Sequence, residues 1–263
     1  MLMLIGPEAT DPMNFALKDR VPNVNGYPEP LKNLLIMKAE TLEIRQAIIE
    51  AAIDLYINDH NHFTVKYIAE KAGLSPADIY SCFPNKEAIL RGFYTQQVHR
   101  YRLMIEEIDG FEDFTLAEKL SNFIYASFDL MQEQREFVEE TFESKVLNAY
   151  SKTEYHKEVE NLLKDFFTGD DRISSSSRIL IQSFFYDLLR KEYFNLVLFW
   201  LDDASPDYEK SMALTDKLTG FLEEVMYSAV FDKGVDLFKF AISNGALGYR
   251  LAAFKRIFSN LLN

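Results

Sequence analysis

Acid–base and metal chemistry require clustered carboxylates, imidazoles or thiolates, and this sequence offers few such clusters. Glu139, Glu140 and Glu143, with Glu106 and Glu107, are the densest carboxylates. Acidic runs on helices are usually a solvated face, and a helical di-iron site needs Glu-x-x-His on two helices, a pattern that does not occur. His60-x-His62 could hold a metal weakly, but no third ligand is near in sequence, which favours a loop surface. His99 and His156 stand alone. The one cysteine, Cys82, excludes an internal disulfide and a thiolate-rich metal site, and reads as a small packing residue. No nucleophile elbow, glycine-rich phosphate loop or zinc spacing is found. No catalytic residue, metal or cofactor is expected.

Aromatic side chains are the other concentrated resource. They cluster at Phe166-Phe167, Phe184-Phe185-Tyr186, Tyr193-Phe194 and Phe199-Trp200. Aromatics at helical spacing are usually plain core, yet helix bundles also place ligand cavities between their helices. Phe128, Phe166, Phe184, Tyr186, Tyr193 and Trp200 are therefore candidate linings for a small hydrophobic or aromatic effector.

The elements that must position these residues are all helical. Ile44, Ala47, Ile48, Ala51, Ala52 and Leu55 follow the i, i+3, i+4 spacing of an amphipathic helix over about 41–58. Further helices are predicted over about 65–72, 76–82, 85–108, 114–147, 151–168, 178–201, 207–229, 231–243 and 246–262. The predicted breaks are Thr168–Asp171, Ser174–Ser177, Ser205-Pro206 and Gly245. No alternating run is long enough for a sheet, and no repeat has a fixed period. Residues 1–30 hold five of the eight prolines and read as an extended or disordered arm. The expected organisation is an arm over 1–30, a small helical domain over 31–95, and a helical bundle over 96–263.

Residues 63–90 carry the strongest local signals. Thr64 can cap a helix whose inner face is Val65, Ile68, Ala69 and Ala72. Gly73 lies where that helix needs a left-handed residue to end. Ser75-Pro76-Ala77-Asp78 then starts a second helix, with Ser75 as N-cap, Pro76 in the first turn and Asp78 placed for a capping box. Helices this short are unstable alone and must pack on a third, which 41–58 supplies. Three helices joined by such a turn form a helix-turn-helix, whose second short helix enters the DNA major groove.

The residues Thr64, Ile68-Ala69, Ala72-Gly73-Leu74-Ser75, Tyr80, Phe83 and Lys86-Glu87, at this spacing, resemble the DNA-binding domain of the tetracycline-repressor (TetR) family of transcriptional regulators. The resemblance covers roughly residues 40–95. It implies that Thr64, Lys66, Tyr80 and Lys86 touch DNA phosphates, and that Pro76, Ala77, Asp78 and Ser81 lie on the base-facing side of the recognition helix. It also implies a homodimer on operator DNA, with an all-helical carboxy-terminal domain that binds a ligand and dimerises; the dimer surface is expected to be a four-helix bundle built from stretches within 178–201 and 207–229 of each subunit. The sequence departs from expectation in having no Lys or Arg on the recognition helix. Asp78 could accept a hydrogen bond from a cytosine amine or cap its own helix, and Lys32 and Lys38 could assist ahead of the first helix.

Composition narrows the class. The chain has 263 residues, 48% of them apolar and 26% charged, enough to bury a core without disulfides or metals. Its net charge of −13 argues against a protein coated in nucleic acid. The charge is uneven: residues 31–100 balance, whereas 101–263 carry 18 basic and 29 acidic side chains. Of the 37 aromatics, 28 fall in that second region, which suggests a division of labour. Neither a signal peptide nor a membrane-length apolar run is present, so a soluble, cytoplasmic protein that binds no membrane is expected.

Overall fold

The computed structural model describes residues 29–228. Among them every regular element is helical, with no strand. The elements are α1 (Glu29–Asn58), α2 (Val65–Ala72), α3 (Pro76–Cys82), α4 (Lys86–Ile105), α5 (Leu116–Gln132), α6 (Arg135–Thr141), α7 (Glu154–Thr168), α8 (Ser175–Leu180), α9 (Ser183–Leu201) and α10 (Glu209–Tyr227). None of these helices is long and apolar enough to cross a membrane. The chain divides into two compact units at Leu90 and Arg91, within α4. The helices expected at 231–243 and 246–262 lie outside the described residues, as does the arm over 1–30 except for its last two positions.

Three expected boundaries differ. The first helix begins at Glu29, not near 41, so Lys32 and Lys38 are part of α1 rather than ahead of it. Pro30 stands at its second residue, where a missing N–H costs nothing. The single helix expected over 114–147 breaks at Gln134 (φ −130°, ψ 42°) and finishes as a π-helical turn over Phe142–Leu147. Ser174–Ser177 is not a break: Ser174 caps α8, its hydroxyl accepting from the Ser177 amide. The turn falls instead at Ile181-Gln182, because α8 is tied elsewhere, with the Ser174 amide donating to the Met226 carbonyl and Arg178 to the Asp170 carbonyl.

In the first unit, α2 and α3 pack on α1. Ile48, Ala52, Ile68, Ala69, Ile79, Phe83, Ile89 and Leu90 are its buried centre. Gly73 adopts φ +68°, and its amide donates to the Ala69 and Glu70 carbonyls, closing α2. A Cβ there would meet nothing within 4 Å, so the requirement for glycine is the backbone conformation alone.

In the second unit, α5 lies along α10. Ser211, Thr215 and Thr219 repeat every four residues on the buried face of α10, and their small side chains permit close approach. The amides that open α5 would otherwise be orphaned. The last turns of α10 satisfy them: Tyr227 Oη accepts from the Leu116 amide (2.9 Å) and Glu223 Oε2 from the Ala117 amide (2.8 Å). Between α7 and α9 the core is aromatic, with Tyr155 and Phe194 stacked at 5.4 Å and the hydroxyls of Tyr155 and Tyr193 3.0 Å apart.

His156 joins this core to the start of α7. Its Nδ1 accepts from the Thr153 amide (3.3 Å) and hydroxyl (2.6 Å), completing a capping box, while its ring meets Phe194 edge-on. Burial, reinforced by the nearby Arg190 charge, pushes the imidazole down to about 4.

Both the left-handed glycine and the buried imidazole can be tested by substitution. Gly73→Val should lower the stability of the first unit by about 1–3 kcal/mol through left-handed strain, and Gly73→Asn by much less; equal urea midpoints for both variants would contradict the assignment. For His156, the unfolded chain protonates near pH 6.5 but the folded one resists until about 4. Stability present above pH 6.5 should therefore fall by up to about 3 kcal/mol as pH drops toward 4. His156→Gln, which keeps a capping group without a titration, should flatten that decline when unfolding is followed through Trp200 fluorescence.

Candidate nucleic-acid interface

The α2–α3 segment is shaped by its caps. Thr64 Oγ1 accepts from the Tyr67 amide at 3.4 Å and starts α2. Ser75 and Asp78 form a complete capping box at the start of α3: the Ser75 amide and hydroxyl both donate to Asp78 Oδ2 (2.8 and 2.7 Å), and the Asp78 amide donates to Ser75 Oγ (3.2 Å). Those bonds from Ser75 hold the Asp78 carboxyl below the usual carboxylate range. Pro76 occupies the first turn of α3, as its missing N–H allows. Phe83 ends α3 in extended conformation, and Asn85 Oδ1 accepts from the Ala88 amide to open α4.

One contact that sequence spacing does not disclose fixes α3 from behind. Arg45, on α1, donates from Nη1 to the Cys82 carbonyl at 2.8 Å and lays its guanidinium over the Phe83 ring at 4.3 Å. It satisfies a carbonyl that the helix end leaves free and places a cation at the negative end of the helix. Its only sequence signal is a basic residue on the otherwise apolar-spaced first helix. Lys71 pairs with Asp54 (2.6 Å) and ties α2 to α1 in the same way.

All eight residues singled out from the sequence are exposed. Thr64 and Lys66 lie at the start of α2; Pro76, Ala77, Asp78, Tyr80 and Ser81 lie on α3; Lys86 opens α4. Tyr80 is 58% exposed, whereas its neighbour Ile79 is buried in the unit's core. Lys66 sits over the exposed Tyr67 ring at 5.7 Å, and His62 meets the same ring edge-on at 4.5 Å. Lys86 is more constrained: its Nζ donates to the Phe63 carbonyl (3.3 Å) and lies 4.8 Å from the Phe63 ring centre. On Asp78, Oδ2 serves the helix cap. The outcome is an outward face of hydroxyls, a phenol and ammonium groups at helix starts, the groups that position a phosphodiester backbone.

The six aromatic residues proposed as a ligand lining are not brought together. Phe128 stacks on Trp200 at 5.1 Å, under the Arg135 guanidinium. Phe166 meets Phe111, Tyr186 meets Phe167 and Phe185, and Tyr193 meets Phe123 and Tyr155. Phe184 is 65% exposed: it faces away from the core on the same side of α9 as Leu188 and Phe199. An open groove of about 520 Å³, lined by Arg135, Leu201, Asp202, Ser205, Asp207 and Tyr208 among others, includes none of the six. Among the described residues no His, Cys, Asp and Glu group could hold a metal ion.

Comparison with known proteins agrees with this geometry. Residues 48–92 match the family model described as bacterial regulatory proteins, tetR family, and residues 119–241 match the tetracyclin repressor-like C-terminal domain. No curated protein matches the chain. A TetR transcriptional regulator from Nitrosomonas europaea shares the fold, with a TM-score of 0.50 and 17% identity over 67% of this chain and 96% of that one. A tetR-family transcriptional regulator from Streptomyces coelicolor aligns with a TM-score of 0.44 and 17% identity, over 78% of this chain and 98% of that one. Two separate stretches, one spanning α2 and α3 and one beginning in α5, thus point the same way, and the chain belongs to the TetR family of transcriptional regulators.

Proposed function

We propose that this chain is a homodimeric, ligand-responsive repressor that binds double-stranded operator DNA in the cytoplasm. The observation that carries the reading is the exposed array on the helix-turn-helix, with Thr64 and Lys66 at the start of α2, Lys86 at the start of α4, and Tyr80 on α3. In this reading α3 enters the major groove and the array holds the flanking phosphates.

Dimerisation is supported by an apolar stripe of the second unit. Phe184, Leu188 and Phe199 share one face of α9, and Leu218 and Phe221 share one face of α10, all exposed despite their size. Large exposed apolar patches are uncommon on monomers. A four-helix interface built from α9 and α10 of two copies would cover them, and operator binding requires the two α3 helices about 34–36 Å apart, one turn of DNA. A small hydrophobic or aromatic effector in the aromatic second unit would favour a dimer state with a different spacing. Such a ligand must bind the two states unequally, because equal affinity shifts nothing.

The lack of Lys or Arg on α3 and the net charge of −13 favour a second reading, a TetR-fold ligand-binding or protein-interaction module with weak or lost DNA binding. Capture and sequencing of genomic DNA fragments at low and moderate salt separates the two. The first reading expects an enriched site, and Lys66→Ala should weaken binding to every duplex and lower the salt slope by about one for each phosphate that Lys66 neutralises. Fragments that are unenriched even at low salt would favour the second. For the interface, Phe221→Asp should convert a sedimenting dimer to a monomer while leaving the helical signal unchanged; a wild-type chain that sediments as a monomer would remove the dimer.

A further inference from the structure

The hydrogen-bond commitments of α3 restrict which bases it can read. Guanine is usually read by bidentate Arg or Lys at its N7 and O6 acceptors, and adenine by Asn or Gln at N6 and N7. The sequence of α3, Pro76-Ala77-Asp78-Ile79-Tyr80-Ser81-Cys82, holds none of those four residue types. Its few polar groups are largely engaged within the helix. The Ser81 hydroxyl donates to the Asp78 carbonyl at 2.7 Å. The Ser75 hydroxyl just before the helix donates to Asp78 Oδ2, which fixes the carboxylate at the start of α3. Ile79 is buried. What remains outward is the apolar pair Pro76 and Ala77, the negative charge of Asp78, and the Tyr80 phenol.

We infer that α3 reads thymine through its C5-methyl group, with Pro76 and Ala77 as the specificity-determining contacts and the Asp78 carboxylate discriminating against guanine. This rests on the DNA-binding reading above. The methyl group is the one apolar feature on the major-groove edge of the bases, and small apolar side chains are what it packs against. The carboxylate faces the N7 and O6 acceptors of guanine with a like-signed charge and no proton to share. Selectivity therefore comes from one attraction and one repulsion, not from a paired donor. Affinity is left to the phosphate contacts of the flanking helix starts.

The test uses the full chain and chemically altered duplexes. A bound site is selected from a random duplex library, and the site is resynthesised with uracil replacing each thymine in turn. Uracil keeps the base pair and loses only the methyl. The wild-type chain should bind about three- to fourfold more weakly for each contacted methyl removed, the worth of one buried apolar carbon. Placing 5-methylcytosine at a cytosine should give no such gain unless it restores a methyl at a contacted position. Ala77→Gly should shrink the thymine-to-uracil ratio toward one, and Asp78→Asn should admit guanine into the selected site. A melting curve on each variant identifies loss of folding, and Ala77→Ser, which retains a Cβ, should keep most of the ratio. Equal affinity of the wild-type chain for the thymine and uracil duplexes would overturn the inference while leaving DNA binding intact. No selectable duplex at any salt would overturn the DNA-binding reading as well.

Discussion

Helices of eight and seven residues do not pay for their own nucleation in water, so the packing of α2 and α3 on α1 is the constraint on which the interface depends. That packing combines an apolar centre, in which Ile48, Ile68 and Ile79 are almost wholly excluded from solvent, with polar fixings at helix ends. Arg45 closes the last turn of α3, Gly73 turns the chain out of α2, and the Ser75–Asp78 box turns it into α3. Each fixing satisfies a backbone group that a short helix has in proportionately large number. The outward residues of α3 can then be chosen for recognition, because its place in the core is taken by Ile79.

The second unit uses its acidic surplus in the same structural way. Asp203 accepts from the amides and hydroxyls of both Ser205 and Ser211, and these bonds hold its carboxyl well below the usual range. Asp170 receives Arg172 and the Tyr227 hydroxyl, joining the α7–α8 loop to the end of α10. Asp187 pairs with Arg190, Lys191 and Lys152. An excess of carboxylates in this region is thus partly a set of caps and ties. The exposed aromatics have a different explanation: Phe184 and Phe221 leave the core because their helices present a second apolar face.

Much of the interface was legible in the sequence. Thr64, Gly73, Ser75, Pro76 and Asp78 act at the backbone of their own turn, so type and spacing suffice to assign them. Whether Asp78 serves its helix or a base was open on spacing alone; the bonds from Ser75 show that one oxygen serves the helix. The carboxy-terminal aromatics were legible as helical but not as partners. Spacing cannot tell that Phe128 meets Trp200, across more than seventy residues, or that Phe184 turns outward. The breaks at Gln134 and Ile181 escaped for a related reason: no Gly or Pro marks them, and a helix that must change direction to meet a neighbour can end without a local signal.

By itself, then, the amino-acid sequence determined the helical class, the turn between α2 and α3, and the residue types offered on α3, because each depends on periodicity or on bonds spanning three or four residues. Tertiary structure decided which aromatics are buried together, which face of α9 and α10 is left open, and that Arg45 holds the end of α3. Those outcomes depend on which surfaces meet across long separations, and the free energy that selects them is gained only when the surfaces exclude water together.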